Sequence, residues 1–122
     1  MLAHRILEYE KQTQIRFLTS RLSRLECRVH PLRHNRPTML EKYDAFFATE
    51  EITLIEVTAD VVEKATEIRA RYQFKTPDAI HMASAILTNT SAFLTSDPVF
   101  ARCKEMTVDV LKPNLNSALV AC

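Results

Sequence analysis

The stretch Thr76-Pro77-Asp78-Ala79-Ile80-His81-Met82-Ala83-Ser84-Ala85-Ile86-Leu87, with Ala92-Phe93-Leu94-Thr95-Ser96-Asp97 after it, reads as a helix leading into a strand. Thr76 is placed to cap the helix and Pro77 to occupy its first position, where a missing N–H costs nothing. Phe93 to Thr95 is a short apolar run of strand type, and Ser96-Asp97-Pro98 is a turn into a further short helix. Upstream, Thr58 caps a helix on which Val61, Ala65, Ile68 and Tyr72 share one face. Residues 52–57 before it read as a strand. Thr38 opens another helix, with Met39, Tyr43, Phe46 and Phe47 on one side.

Further out, Ile15-Arg16-Phe17-Leu18 reads as a strand, and Thr19 or Ser20 caps the helix that follows. Leu18, Leu22, Leu25 and Val29 are expected to form its buried face, and Pro31 to end it. Residues 2–11 read as helix and residues 108–111 as a last strand. No repeat or linker interrupts the pattern, so residues 1–122 are expected to form a single domain with about 113–122 a tail. Strands alternating with helices imply an α/β fold with a mainly parallel sheet, in which ligands bind beyond the carboxyl ends of the strands.

Composition narrows the function. There is no glycine in 122 residues, which excludes glycine-rich phosphate loops and leaves turns to Pro, Asn, Asp and Ser. The net charge of +1 names no partner. Charge is nevertheless uneven: residues 16–36 hold six arginines against one acid, Glu26. That stretch is either a solvated basic face or a phosphate-binding surface, for which the planar arginine fork is suited. A basic DNA-binding helix is a further reading, which the strand pattern elsewhere opposes. Cys27, Cys103 and Cys122 show neither disulfide-framework nor zinc spacing, and reduced thiols in a cytoplasm are the simplest expectation. No apolar run is long enough to span a bilayer.

Three acids stand at or soon after strand ends. Asp78 is either a first-turn acid complementing the helix dipole or a catalytic carboxylate. Asp97 is either an ordinary turn acid or the same. Glu26 lies about 60° from the centre of the expected apolar stripe, at its edge, and is either a boundary glutamate or a functional one.

The segments Thr76 to Ala83, Phe93 to Asp97 and Thr19 to Arg28, in that order of distinctness, resemble motifs of the PIN-domain family, VapC-type toxins in particular. The resemblance implies a three-layer α/β domain and hydrolysis of RNA by a Mg²⁺- or Mn²⁺-dependent endoribonuclease, the toxin of a type II toxin–antitoxin pair. Carried over by motif, Glu26, Asp78 and Asp97 are the catalytic, metal-holding carboxylates and Thr95 a supporting polar residue. Arg21, Arg24 and Arg28 are the candidates for RNA contact, and His81, near the same helix face as Asp78, is read as structural or supporting. A cognate antitoxin and a homodimer are likewise implied.

The sequence departs from the family pattern at its start. The family opens on a central strand ending in an aspartate, and no such segment precedes the first helix here. An N-terminally truncated domain is therefore expected. A different start, a partner segment filling the gap, or an inactive remnant that only binds RNA or antitoxin would each account for it.

Overall fold

The computed structural model describes residues 16–112. The expected helix at 2–11, the position of Ile15 and the tail from Pro113 lie outside them. Within them the order is β1 (Phe17–Ser20), α1 (Arg21–Arg33), α2 (Pro37–Phe47), β2 (Ile52–Ile55), α3 (Ala59–Tyr72), α4 (Thr76–Leu87), β3 (Phe93–Thr95), a 3₁₀ turn (Pro98–Arg102) and β4 (Val108–Val110). The α/β alternation and the parallel pairing are as the sequence implies. Among the described residues the strands form two pairs rather than one sheet: β1 with β2, Phe17 opposite Ile52, and β3 with β4, Phe93 opposite Val108.

Each strand pair has its own core. Val61, Ala65 and Ile68 of α3 meet Ala79, Met82 and Ala83 of α4, with Phe74, Phe100 and Cys103 closing the cluster and Phe93 packed on it. Ile68 and Met82 are fully buried, and burying such side chains contributes roughly 1.5–3 kcal/mol each. The face expected of α3 is the observed one. The second core is smaller: Cys27 of α1 with Tyr43 and Phe47 of α2, and Phe46 and Leu54 packed against them. α4 also packs against β1 and α1, which joins the two halves.

Helix ends explain how a chain without glycine turns. Asn35 (φ 50°), Gln73 (φ 57°) and Asn89 (φ 55°) take the left-handed conformation that glycine usually supplies. After α1, the Arg36 N–H donates to Pro31 O at 2.8 Å and the Asn35 N–H to Leu32 O at 3.4 Å, a Schellman closure. After α4, Thr90 and Asn89 donate to Ala85 O and Ile86 O at 3.1 Å each in the same way. Gln73 lies outside the residue types expected of turns. Thr58 caps α3 through its hydroxyl to the Val61 N–H, and Ser20 caps α1 through its hydroxyl to the Leu22 N–H.

Several expectations are corrected. Pro31 does not end α1. It sits buried in the last turn, where its missing donor costs a single hydrogen bond, and the helix closes at Arg33. α4 begins at Thr76 itself, with Lys75 as its cap residue and Pro77 second. The expected buried face is not the observed one: Leu18, Leu25 and Val29 are exposed and Leu22 is half-buried, Leu32 beside them is exposed, and Cys27 and Pro31 are the residues of α1 that are buried. Cys103 is a free, buried thiol pushed up by that burial, whereas Cys27 is disulfide-bonded, contrary to the expectation of reduced thiols throughout. No helix among the described residues is long and apolar enough to cross a membrane.

Candidate active site

Three elements bring the three acids to one region. α1 starts directly after β1 and carries Glu26 on its second turn. α4 carries Asp78 in its first turn, where the helix N-terminus favours negative charge. The turn after β3 carries Asp97, whose position is fixed by two hydrogen bonds. Its own N–H donates to Thr95 Oγ1 at 3.0 Å, and its Oδ1 accepts from the Val99 N–H at 3.0 Å, capping the 3₁₀ turn. Thr95 is buried at the end of β3, so its hydroxyl anchors the backbone that presents Asp97.

Asp78 registers the convergence. Its carboxyl is pushed up from the usual carboxylate range, first by burial and then by the negative charge of Asp97. His81 pulls it back, Glu26 adds a further upward push, and Lys75 acts downward. Like charges gathered in a partly desolvated place disfavour each other's ionisation. The three acids and His81 are thus electrostatic neighbours. Glu26 and His81 are in direct contact, His81 Nε2 lying 2.6 Å from Glu26 Oε1. An ionised carboxylate only accepts hydrogen bonds, so Nε2 is the donor. Among the described residues no group of three or more histidine, cysteine, aspartate or glutamate side chains forms a cluster that could hold a metal ion.

The arginines of α1 are not brought to the acids. Arg21 pairs with Glu56 through two bonds of 2.7 and 2.8 Å. Arg24 and Arg28 share Asp44 Oδ1 at 2.9 and 2.8 Å. Nothing in the sequence marked Asp44 or Glu56 as their partners, since Asp44 lies on α2 and Glu56 in the connection after β2. His81 is the site residue whose contact the sequence left undefined; its only signal was a place one helical turn beyond Asp78. A hollow of about 700 Å³ between α3 and α4, bordered by Val62, Arg69, Phe74 and Ile80, includes none of the acids. Its lining is mostly apolar, and it offers no group for acid–base work.

Comparison with known proteins gives one match. No curated protein and no solved structure matches the chain significantly. Residues 2–106 match the PIN domain family, a span holding all three acids, Thr95 and the arginine-rich helix. With most of its length matched in this way, the chain belongs to the PIN domain family.

Proposed function

We propose that the protein is a Mg²⁺- or Mn²⁺-dependent endoribonuclease of VapC-like type, acting as the cytoplasmic toxin of a type II toxin–antitoxin pair, with Glu26, Asp78 and Asp97 as its catalytic carboxylates. Family membership supports nuclease chemistry in general, because PIN domains are generally nucleases that use divalent ions. The observation that carries the reading is the upward shift of Asp78, caused first by burial and then in part by Asp97 and Glu26, the three acids coming from three separate elements. Such mutual repulsion is what a divalent cation relieves.

The donor set fits a hard cation. All three side chains offer oxygen, which suits Mg²⁺ or Mn²⁺ over softer ions. Because no three of these groups stand together as a metal cluster, the proposal gives the ion one or two of the carboxylates and leaves water to complete its sphere, the usual habit of Mg²⁺. Bound there, the ion supplies neutralising charge beside the scissile phosphate and an acidified water. The protein's own residues do the positioning. Thr95 fixes Asp97, the N-terminus of α4 supports Asp78, and α1 delivers Glu26. Hydrolysis by in-line attack of water at phosphorus breaks the P–O3′ bond, leaving a 5′-phosphate and a 3′-hydroxyl and using no side-chain nucleophile.

Arg21, Arg24 and Arg28 are proposed to meet the RNA backbone by exchanging Glu56 and Asp44 for phosphate. These pairs are partly exposed, and solvent-screened pairs of this kind are weak, so phosphate can compete. The outward stripe of Leu25, Val29 and Leu32 on α1, with Leu18 beside it, is a surface for the antitoxin. A homodimer is part of the same proposal.

The alternative is an inactive remnant that binds RNA or antitoxin without cutting. It is favoured by the absence, among the described residues, of a three-ligand metal group. Incubating the protein with RNA and Mn²⁺, with and without EDTA, decides between them. Cleavage that EDTA abolishes, and that Asp78→Asn lacks, is the expected result. Equal cleavage in both arms, or an active Asp78→Asn, overturns the metal mechanism; binding without cleavage supports the remnant.

A further inference from the structure

His81 is the one described side chain in contact with the proposed cation-holding acids that the proposed function leaves without a task. It stands on α4 three residues after Asp78 and meets Glu26 of α1 at 2.6 Å. The pair is largely shielded, with side-chain exposures of 17% for His81 and 30% for Glu26. Its short distance belongs to the charge-assisted class of hydrogen bonds. Every other ion pair among the described residues stays within one of the two core regions: Arg21, Arg24 and Arg28 with Glu56 and Asp44 on one side, Lys64 with Glu67 and Lys64 and Arg71 with Glu105 on the other. The Glu26–His81 contact crosses between them.

We infer that His81 is a positioning residue, whose Nε2–H holds the Glu26 carboxylate in register with Asp78 and Asp97 across the junction of the two cores. The inference rests on the reading of those three acids as the cation-holding set and adds a residue to it. A glutamate side chain has three rotatable torsions and, unanchored, would have to be ordered at the moment an ion binds. Anchoring one oxygen in advance leaves the other available and removes that ordering from the binding step. A contact of this kind, one bond removed from a ligand, sets ligand orientation without touching the ion.

The experiment compares His81→Gln, His81→Asn and His81→Leu with the parent, using Mn²⁺ alone and no RNA. Free Mn²⁺ is read by electron paramagnetic resonance, and metal-free thermal melts report folding. A glutamine amide nitrogen reaches about where Nε2 stands, whereas an asparagine amide falls short at the Nδ1 position. The expected result is Mn²⁺ binding weakened about 10- to 100-fold in His81→Asn and His81→Leu. Binding by His81→Gln is expected within about threefold of the parent. Should the leucine variant fail to fold, the Gln and Asn pair, close in shape and polarity, carries the comparison. Parent-like binding by His81→Asn, or no rescue by His81→Gln, reduces His81 to a structural residue and overturns the inference. Asp78→Asn run alongside separates the two failures. If the parent does not bind Mn²⁺, or Asp78→Asn binds as the parent does, the cation site is wrong and the inference falls with it. If Asp78→Asn abolishes binding while His81→Asn leaves it intact, the inference alone is overturned.

Discussion

Thr95 and Asp97 are joined by a hydrogen bond from the Asp97 N–H to Thr95 Oγ1 at 3.0 Å, so a buried hydroxyl at the end of β3 fixes where an exposed carboxylate stands. The same aspartate caps the following turn through Oδ1. Structure and proposed chemistry therefore meet in one side chain, and substitution can separate them.

Asp97→Asn keeps an oxygen for the Val99 N–H and removes only the charge. Its stability is expected within about 0.5 kcal/mol of the parent, since Asn and Asp cap equally well. RNA cleavage in Mn²⁺ is expected to fall at least about 100-fold, beyond the loss typical of groups that merely support a metal ligand. Thermal melts and cleavage rates on the same preparation check both; full activity in the Asn variant sinks the assignment of Asp97.

Asp78 carries a stability consequence. Its folded carboxyl is raised by burial and by Asp97, which means the fold prefers it protonated. Its charge is therefore unfavourable to folding at neutral pH, and the penalty is relieved as pH falls through the raised value. The N-terminus of α4 works the other way by about 0.3–1 kcal/mol, and the upward direction says it is outweighed. Without divalent ions, Asp78→Asn should melt no lower than the parent at pH 7.5, and any advantage should vanish in acid. A clearly lower melting temperature at pH 7.5 contradicts this account.

Asp44 accepts from both Arg24 and Arg28. If those arginines exchange it for phosphate, Asp44→Asn should tighten RNA binding at low salt. Arg24→Ala should weaken binding and lower the slope of log affinity against log salt by about one. Filter binding across a salt series measures this. An unchanged slope in Arg24→Ala assigns the pair to structure alone.

The outward stripe on α1 predicts a separation of partner binding from folding. Leu25 and Leu32 are 58% and 57% exposed, so Leu25→Glu and Leu32→Glu should each change stability by no more than about 0.5 kcal/mol. If the proposed antitoxin docks there, it should no longer co-purify with the doubly substituted protein when the two are co-expressed. Retained co-purification moves the partner surface elsewhere.

Much of this molecule was legible from local chemistry. Thr58, Val61, Ala65 and Ile68 announce α3 and its buried face because cap and period agree. Asp78 and Asp97 were placed by the ends of short, recognisable elements, but local chemistry read them equally as a first-turn acid and a turn acid, and the resemblance singled them out. α1 was misread because periodicity identifies a stripe but not what lies opposite it. Its leucines form the more apolar row, yet the side facing α2 is that of Cys27 and Pro31. The arginine partners and the Glu26–His81 contact were illegible for a simpler reason: each joins residues at least 16 positions apart, and only the tertiary fold sets such distances.

Strands laddered side by side act as a ruler, fixing what they carry in steps of about 4.8 Å. No such ruler connects β1 to β3 among the described residues, although one leads to Glu26 and the other to Asp97. Their separation is set instead through α4, which packs against β1 and α1 on one side and against α3 on the other. The spacing of the two acids is therefore inherited from helix packing rather than from a backbone ladder.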